Sequence, residues 1–351
     1  MSSSASLFSA ASLSSAASGL SPLDAARAVA ARVRARARRD VMGRDEVIDL
    51  SLIALLSGGH ILLEDYPGSG KTTLAKALGE SISSAVEGSS GGALIAPFRR
   101  VQFTPDMLPS DITGVMIFDS NTQEFRFRPG PVFAHVLLVD EINRTSPKVQ
   151  SAMLEAMAER QVTVDNKTYA LDPLFFVIAT QNPLDSVGTY PLPVAQLDRF
   201  LFKVRMKHID RAAELEVLST WGLPSEREAL PGVTRDELIE ARAAIQKGVY
   251  VSEAVKVCLV DTARAIRDDK RCAQGVSTRS LVQGLPALQA RAALSGRDFV
   301  SAEDLSALAP ALFEHRLTLI PGVRDAQGLI SDALRAPLEA LSRATLSAQV
   351  R

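Results

Sequence analysis

One stretch constrains the chain more than any other. His60-Ile61-Leu62-Leu63-Glu64 is followed by Asp65-Tyr66-Pro67-Gly68-Ser69-Gly70-Lys71-Thr72-Thr73 and then by Leu74-Ala75-Lys76-Ala77-Leu78. A short apolar run, a glycine loop and a good helix former, in that order, are the setting of a phosphate-binding loop. Gly68 and Gly70 let backbone N–H groups turn inward with no Cβ in the way. The helix start adds unpaired donors and a positive dipole end. Lys71 can reach the β- and γ-phosphates, and the Thr72 hydroxyl can ligate Mg²⁺. The run Pro67, Gly68, Ser69, Gly70, Lys71, Thr72, Thr73 keeps the second half of the GxxxxGK[ST] template and is expected to cradle a nucleotide. Asp65 stands where that template has a glycine, and a carboxylate there repels a triphosphate unless it points away.

Such a loop needs a buried sheet behind it, and the composition allows one. The chain has 351 residues, 46% hydrophobic and 23% charged, which predicts a globular protein of about two domains. Lys plus Arg is 39 against 40 for Asp plus Glu, a net charge of −1, so neither a nucleic acid nor a membrane surface is called for. Cys258 and Cys272 form no CxxC and have no His beside them, which rules out a disulfide scaffold or a zinc cluster. His208 and His315 are single, so a metal site built on histidine is not expected. No apolar run approaches the ~18 residues of a membrane helix, and a soluble, cytoplasmic protein is expected.

Two further apolar runs end in polar residues. Val136-Leu137-Leu138-Val139 leads into Asp140-Glu141, as a central strand of a parallel sheet would, with its ligands at the carboxyl end. There Asp140 can hold Mg²⁺ and Glu141 can polarise an attacking water. Phe175-Phe176-Val177-Ile178-Ala179 leads into Thr180-Gln181-Asn182-Pro183. Asn182 either meets a γ-phosphate or caps a turn before Pro183. Arg199, in Gln196-Leu197-Asp198-Arg199-Phe200, reads on its own as a surface ion pair.

Taken together, GHILLEDYPGSGKTTLAKAL, RRVQFTPDMLPSDITG, FRFRPGPVF, LLVDEINRTSPKVQSAMLEAMAERQVTV, FFVIATQNP and GTYPLPVAQLDRF resemble the MoxR branch of the AAA+ ATPases. They run in order between about Val41 and Phe202. The resemblance implies an α/β fold, a P-loop αβα sandwich with a parallel sheet, followed by an all-α lid domain. It also implies Lys71 and Thr72 as Walker A, Asp140 and Glu141 as Walker B, Asn182 as sensor 1, Arg199 as the arginine finger reaching a neighbouring subunit, and Arg279 as sensor 2. Met42 and Gly43, in Val41-Met42-Gly43-Arg44, match the segment against the adenine, and Arg144 matches a position facing the subunit interface. Thr278 replaces the proline usual before the sensor 2 arginine, and the loop Glu87 to Ala93 is longer than the family's norm.

The family implies ATP and Mg²⁺ as cofactors and a homo-oligomeric ring, a hexamer. It implies chaperone-like work on a protein client with a partner that carries a von Willebrand factor A domain. Two alternatives stay beside it: a nucleotide-gated assembly scaffold with little turnover, and a magnesium-chelatase-like motor subunit, which the runs FTPDMLPSDITG and GTYPLPVAQLDRF disfavour. A GTPase is rejected, because Asn166-Lys167-Thr168-Tyr169 has Tyr where the guanine-specifying motif has Asp.

Residues 1–22 form a Ser/Ala-rich tail, expected to be disordered. Six arginines then fall between Asp24 and Asp40. They read as a first helix packed beside the core, capped by Ser21 with Pro22 at its first position. The rival readings are a basic contact patch and a transit peptide. Val115–Phe118 and Glu124–Arg128 predict one hairpin, and Gln161 to Leu171 another, turning at Asp165-Asn166. Both either touch a client or brace a subunit interface. Residues 23–208 are expected to be the nucleotide-binding core and 209–351 the lid, where Leu281, Leu285, Leu288 and Ala292 recur at helical spacing.

Overall fold

The computed structural model describes residues 20–64, 69–83, 89–90, 93–182, 188–220 and 232–349. Asp65, Pro67 and Gly68, the tail 1–19, most of the loop 87–93, and Pro183 lie outside the described residues.

Five strands form one parallel sheet: β1 (Ile61–Glu64), β2 (Ala96–Gln102), β3 (Ala134–Asp140), β4 (Phe176–Gln181) and β5 (Phe202–Arg205), in the order β5-β1-β4-β3-β2. All seven residues of β3 are buried, which explains its unbroken apolar run: a central parallel strand is covered on both faces. Side chains alternate between two cores, as the pleat requires. Ile61, Leu63, Val136, Leu138, Phe176 and Ile178 enter one, and Leu62, Leu137, Val139, Val177 and Ala179 enter the other.

The first core extends through α1 (Pro22–Asp40), α2 (Asp45–Ser57) and α3 (Lys71–Glu80) into the lid helices. The second is closed by α4 (Pro147–Glu159). Beyond β5 come α5 (Arg211–Thr220), α6 (Arg235–Gly248), α7 (Glu253–Asp268), α8 (Thr278–Leu294), α9 (Ala302–Phe313) and α10 (Ala326–Gln349). The lid therefore shares apolar packing with the sheet instead of building a core of its own.

Helix α1 forms for the reasons visible in its sequence. The Ser21 hydroxyl accepts the Asp24 N–H, Pro22 occupies the first turn, and Ala26, Val29, Ala30, Val33 and Ala37 make a buried stripe. Its arginines meet carboxylates: Arg27 with Asp24, Arg32 with Glu237 of α6, Arg34 with Asp49 and Arg38 with Asp45 of α2. This is a packed helix that staples the core to the lid, and its charge run is answered locally.

Both hairpins form. Gly114–Asp119 pairs antiparallel with Glu124–Pro129, and Gln161–Val164 with Lys167–Ala170. Asp165 and Asn166 have φ of 47° and 63°, as a two-residue turn with both central residues left-handed demands. Phe127 stacks on Tyr169 at 4.0 Å and joins the two hairpins. Phe118 and Phe125, in edge-to-face contact at 5.3 Å, lie at the exposed tip of the first.

Of the three buried histidines, His60, His135 and His315, the first and last are held neutral. His60 Nδ1 accepts the Val177 N–H at 3.0 Å while Nε2 donates to the Met157 carbonyl at 3.2 Å. Burial, helped by the Arg160 charge, pushes its pKa down to about 3. His315 donates to the Phe200 carbonyl at 3.0 Å, and burial holds it well below its ordinary value of 6.5. As pH falls below that value the unfolded chain binds protons that the folded rings refuse, so stability is lost on acidification. Melting should move to lower temperature between about pH 7 and pH 5, by on the order of 1 kcal/mol per pH unit for each ring. Thermal melts of the wild type and of His60→Gln check this: the variant should show the shallower slope, and equal slopes would remove His60 from the account.

Candidate active site

The carboxyl ends of four adjacent strands gather polar residues in one row, at the crevice where open α/β sheets hold ligands. Register sets the row. Glu64 of β1 lies opposite Gln181 of β4, and Gln102 of β2 lies opposite Asp140 of β3. Asn182 follows directly on Gln181.

Of the residues read as a phosphate loop, Ser69 to Thr73 are described. Gly70 has φ +90° and forms the N-cap of α3, whose first residue is Lys71. An L side chain at Gly70 would be strained. Ser69, Gly70 and Thr73 line a cavity of about 370 Å³, whose apolar wall includes Val41, Met42 and Ile209. Gly43 (φ +66°) makes that wall possible, because a Cβ there would lie 2.6 Å from the Ala213 Cβ of α5. Arg44 donates to the carbonyls of Lys207 and Ser69, the latter at 3.3 Å, and ties this segment to the loop. An apolar slot beside a helix N-terminus has the dimensions and chemistry for a base and its phosphates.

Asp140 is 4% exposed. Its carboxylate accepts from Arg100 Nε at 2.7 Å and from Thr180 Oγ1 at 3.3 Å. Glu141 is held in the left-handed region at φ 56° and ψ 52°, a conformation costing a non-glycine residue on the order of 1 kcal/mol. Its N–H donates to Thr180 Oγ1 at 3.0 Å, and its carboxylate accepts from Gln102 Nε2 at 2.8 Å and Arg144 Nε at 2.9 Å. Beside them, burial would raise the Glu64 carboxyl, but Lys203 at 2.7 Å, with Gln181 and Arg205, holds it below the usual range. For Mg²⁺, hard oxygen donors are the fitting set. Asp140 supplies a buried carboxylate whose charge already draws a cation, Arg100. Thr72 supplies a hydroxyl in the first turn of α3, which packs on β3.

Arg199 and Arg279 stand elsewhere. With Gly58, Gly59 and His60, which lead into β1, they line a second cavity of about 280 Å³. It lies at the end of β1 opposite the phosphate loop. Arg199 Nη1 donates to the Leu154 carbonyl at 2.9 Å. Arg279 was expected to bind nucleotide together with Met42 and Gly70; the fold sets it beside Arg199 instead. Helix α8 is held there by the apolar packing of Leu281, Ala287 and Leu288 in the core it shares with the sheet, and its N-cap Ser277 donates to Asp198 at 3.2 Å.

Sequence reading gave no role to Arg100, Gln102, Thr180 or Arg316. The run Arg99-Arg100-Val101-Gln102 sets a single apolar residue among polar ones before Phe103, a local sign of a half-exposed edge strand ending at the site.

Comparison with known proteins places the chain in a family. A family model described as "ATPase family associated with various cellular activities (AAA)" matches residues 60–202, and an AAA lid domain matches residues 264–336. Chaperone MoxR1 of Mycobacterium tuberculosis is 36% identical over 289 residues, covering 80% of this chain and 74% of that protein. This chain belongs to the MoxR family of AAA+ ATPases. The YeaC protein of Bacillus subtilis is 44% identical to this chain over 297 residues, 84% of this chain and 88% of that one. The crystal structure of a protein from Cytophaga hutchinsonii superposes with a TM-score of 0.79 at 34% identity, covering 92% of this chain and 98% of that one. The αβα core with a helical lid seen here is thus the AAA+ architecture of a MoxR protein. Among the described residues, no helix is long and apolar enough to cross a membrane.

Proposed function

We propose that this MoxR-family protein is a cytoplasmic ATPase that binds ATP with Mg²⁺ between Met42 and the phosphate loop. It would hydrolyse the ATP at the interfaces of a hexameric ring of identical subunits. The observation that carries this reading is a separation within one chain. Gly70 and Lys71 open α3, and Asp140 ends β3 with Glu141 next to it, at the carboxyl end of the sheet, while Arg199 and Arg279 line a cavity at the opposite end of β1. In this reading the two halves meet across an interface, each nucleotide facing the arginines of a head-to-tail neighbour.

In this reading Met42 and Gly43 seat the base, Pro67 to Thr73 wrap the phosphates, and Lys71 neutralises them. Mg²⁺, when bound by Thr72 and Asp140, supplies charge neutralisation at the phosphate oxygens. Glu141 accepts the proton of the attacking water after exchanging its bonds to Gln102 and Arg144 for that water, and Asn182 orients it. Arg199 and Arg279 of the neighbouring copy meet the charge that develops on the transferring group. Turnover would drive chaperone-like remodelling of a protein client, together with a partner bearing a von Willebrand factor A domain. Phe118 and Phe125 at the hairpin tip offer the apolar surface for the client. The chaperone reading is supported by the Mycobacterium tuberculosis relative, which is itself named a chaperone.

A nucleotide-gated scaffold with little turnover is the second reading, favoured by the occupied Glu141 carboxylate. Steady-state ATPase activity against protein concentration separates the two. Specific activity that rises as subunits assemble is the expected result. Flat, negligible turnover with tight ATP binding would select the scaffold.

A further inference from the structure

A buried arginine far from the phosphate loop links the two arginines at the far end of β1. Arg316 follows α9, and its side chain is 1% exposed. Its Nε donates to Asp198 Oδ1 at 2.7 Å. Its Nη2 donates to the Phe200 carbonyl and to Gln283 Oε1, each at 2.8 Å, and its Nη1 to the Leu201 carbonyl at 3.0 Å and to the Leu312 carbonyl. The other oxygen of Asp198 accepts from the Ser277 hydroxyl at 3.2 Å.

These contacts join two places. Asp198 and Phe200 flank Arg199 in the core. Ser277 caps α8 just before Arg279, and Gln283 sits one turn beyond Arg279 on the same helix. Stability alone is a poor reason for burying such a pair, because well-packed apolar residues of similar volume often serve as well. What an apolar side chain cannot supply is a planar fork that fixes several acceptors at set angles.

We propose that Arg316 is a positioning residue. It registers the lid against the core through Asp198, so that Arg199 and Arg279 are presented to a neighbouring subunit as one rigid pair. The inference rests on the reading that these arginines serve the neighbour's nucleotide. A reacting group misplaced by ~1 Å loses about a hundredfold in rate. An Arg316 variant therefore has an intact nucleotide site of its own and is a defective donor.

Mixing subunits tests this. Arg316→Met keeps the buried volume and removes the fork. Alone, it should lose at least about tenfold in turnover while its ATP affinity stays within about twofold of wild type, because its own cavity is untouched. Arg316→Lys, which keeps the charge without the fork, should not restore the rate. Mixed one to one with Glu141→Gln, a subunit with a dead site and intact arginines, Arg316→Met should recover about a quarter of wild-type turnover, the share of interfaces that pair a good site with a good donor. Arg199→Ala mixed with Glu141→Gln is the control.

If the control recovers activity and the Arg316→Met mixture does not, Arg316 acts on its own site or merely on folding, and the inference is overturned. If the control also fails, the shared interface site is wrong and both readings fall. Wild-type turnover by Arg316→Met alone would overturn it as well. Should Arg316→Met fail to assemble, Asp198→Asn, which removes the same ion pair with little change in volume, enters the mixture under the same two outcomes.

Discussion

Glu141→Gln is expected to cut ATP turnover by at least about a hundredfold while ATP affinity stays within about threefold of wild type. The side chain keeps its shape and can still accept hydrogen bonds from Gln102 and Arg144, so the left-handed turn at the end of β3 should hold. What disappears is the group able to take a proton from water, and positioned proton transfer contributes about 10²–10⁴ in rate. The cavity between Met42 and Gly70, proposed for the nucleotide, is not lined by Glu141. Removing a negative charge near the phosphates can only favour their binding. Phosphate release at saturating ATP, with titration of a fluorescent ATP analogue, measures the two quantities separately. A turnover within threefold of wild type would move the general base to another residue.

Arg199→Ala carries the second large effect. An arginine that meets charge on a transferring phosphoryl group is worth about 10³–10⁵ in turnover. The Arg199 guanidinium donates to the Leu154 carbonyl, a hydrogen bond whose loss should cost on the order of 1 kcal/mol. The expected result is a thousandfold-scale drop in turnover with ATP affinity unchanged and melting temperature little changed. Arg199→Lys should recover little of it, because an ammonium lacks the planar fork. A drop in ATP affinity matching the drop in turnover would instead place Arg199 at its own subunit's nucleotide, against the separation seen in the fold.

The central sheet was readable in the chain because its chemistry is local. Strands β1, β3 and β4 are covered on both faces, and double burial leaves a continuous apolar run that needs no knowledge of its neighbours. The turn at Asp165-Asn166 and the start of α1 were readable for the same reason: a left-handed pair and a Ser-Pro cap act over two to four residues. The edge strand β2 was harder. Its residues Ala96 to Gln102 are half exposed, so their pattern is mixed. The meaning of Arg100 and Gln102 comes only from register, which sets them across from the end of β3.

The sequence by itself determined the alternation of apolar strands with helices, the carboxylates at the end of β3, Asp140 and Glu141, and, through its ordered motifs, the family. Each is a short-range signal, set by backbone preference or by periodicity. Tertiary structure decided the rest. It placed Arg279 beside Arg199, engaged Glu141 with Gln102 across 39 positions, and closed Arg316 onto Asp198 across 118 positions of chain. It also packed α1 against α6, where Arg32 reaches Glu237 across 205 positions. Contacts between residues so far apart leave no local pattern. They exist because one buried core joins the sheet to the lid, and a polar group enclosed by that core must find its partner wherever the packing puts one.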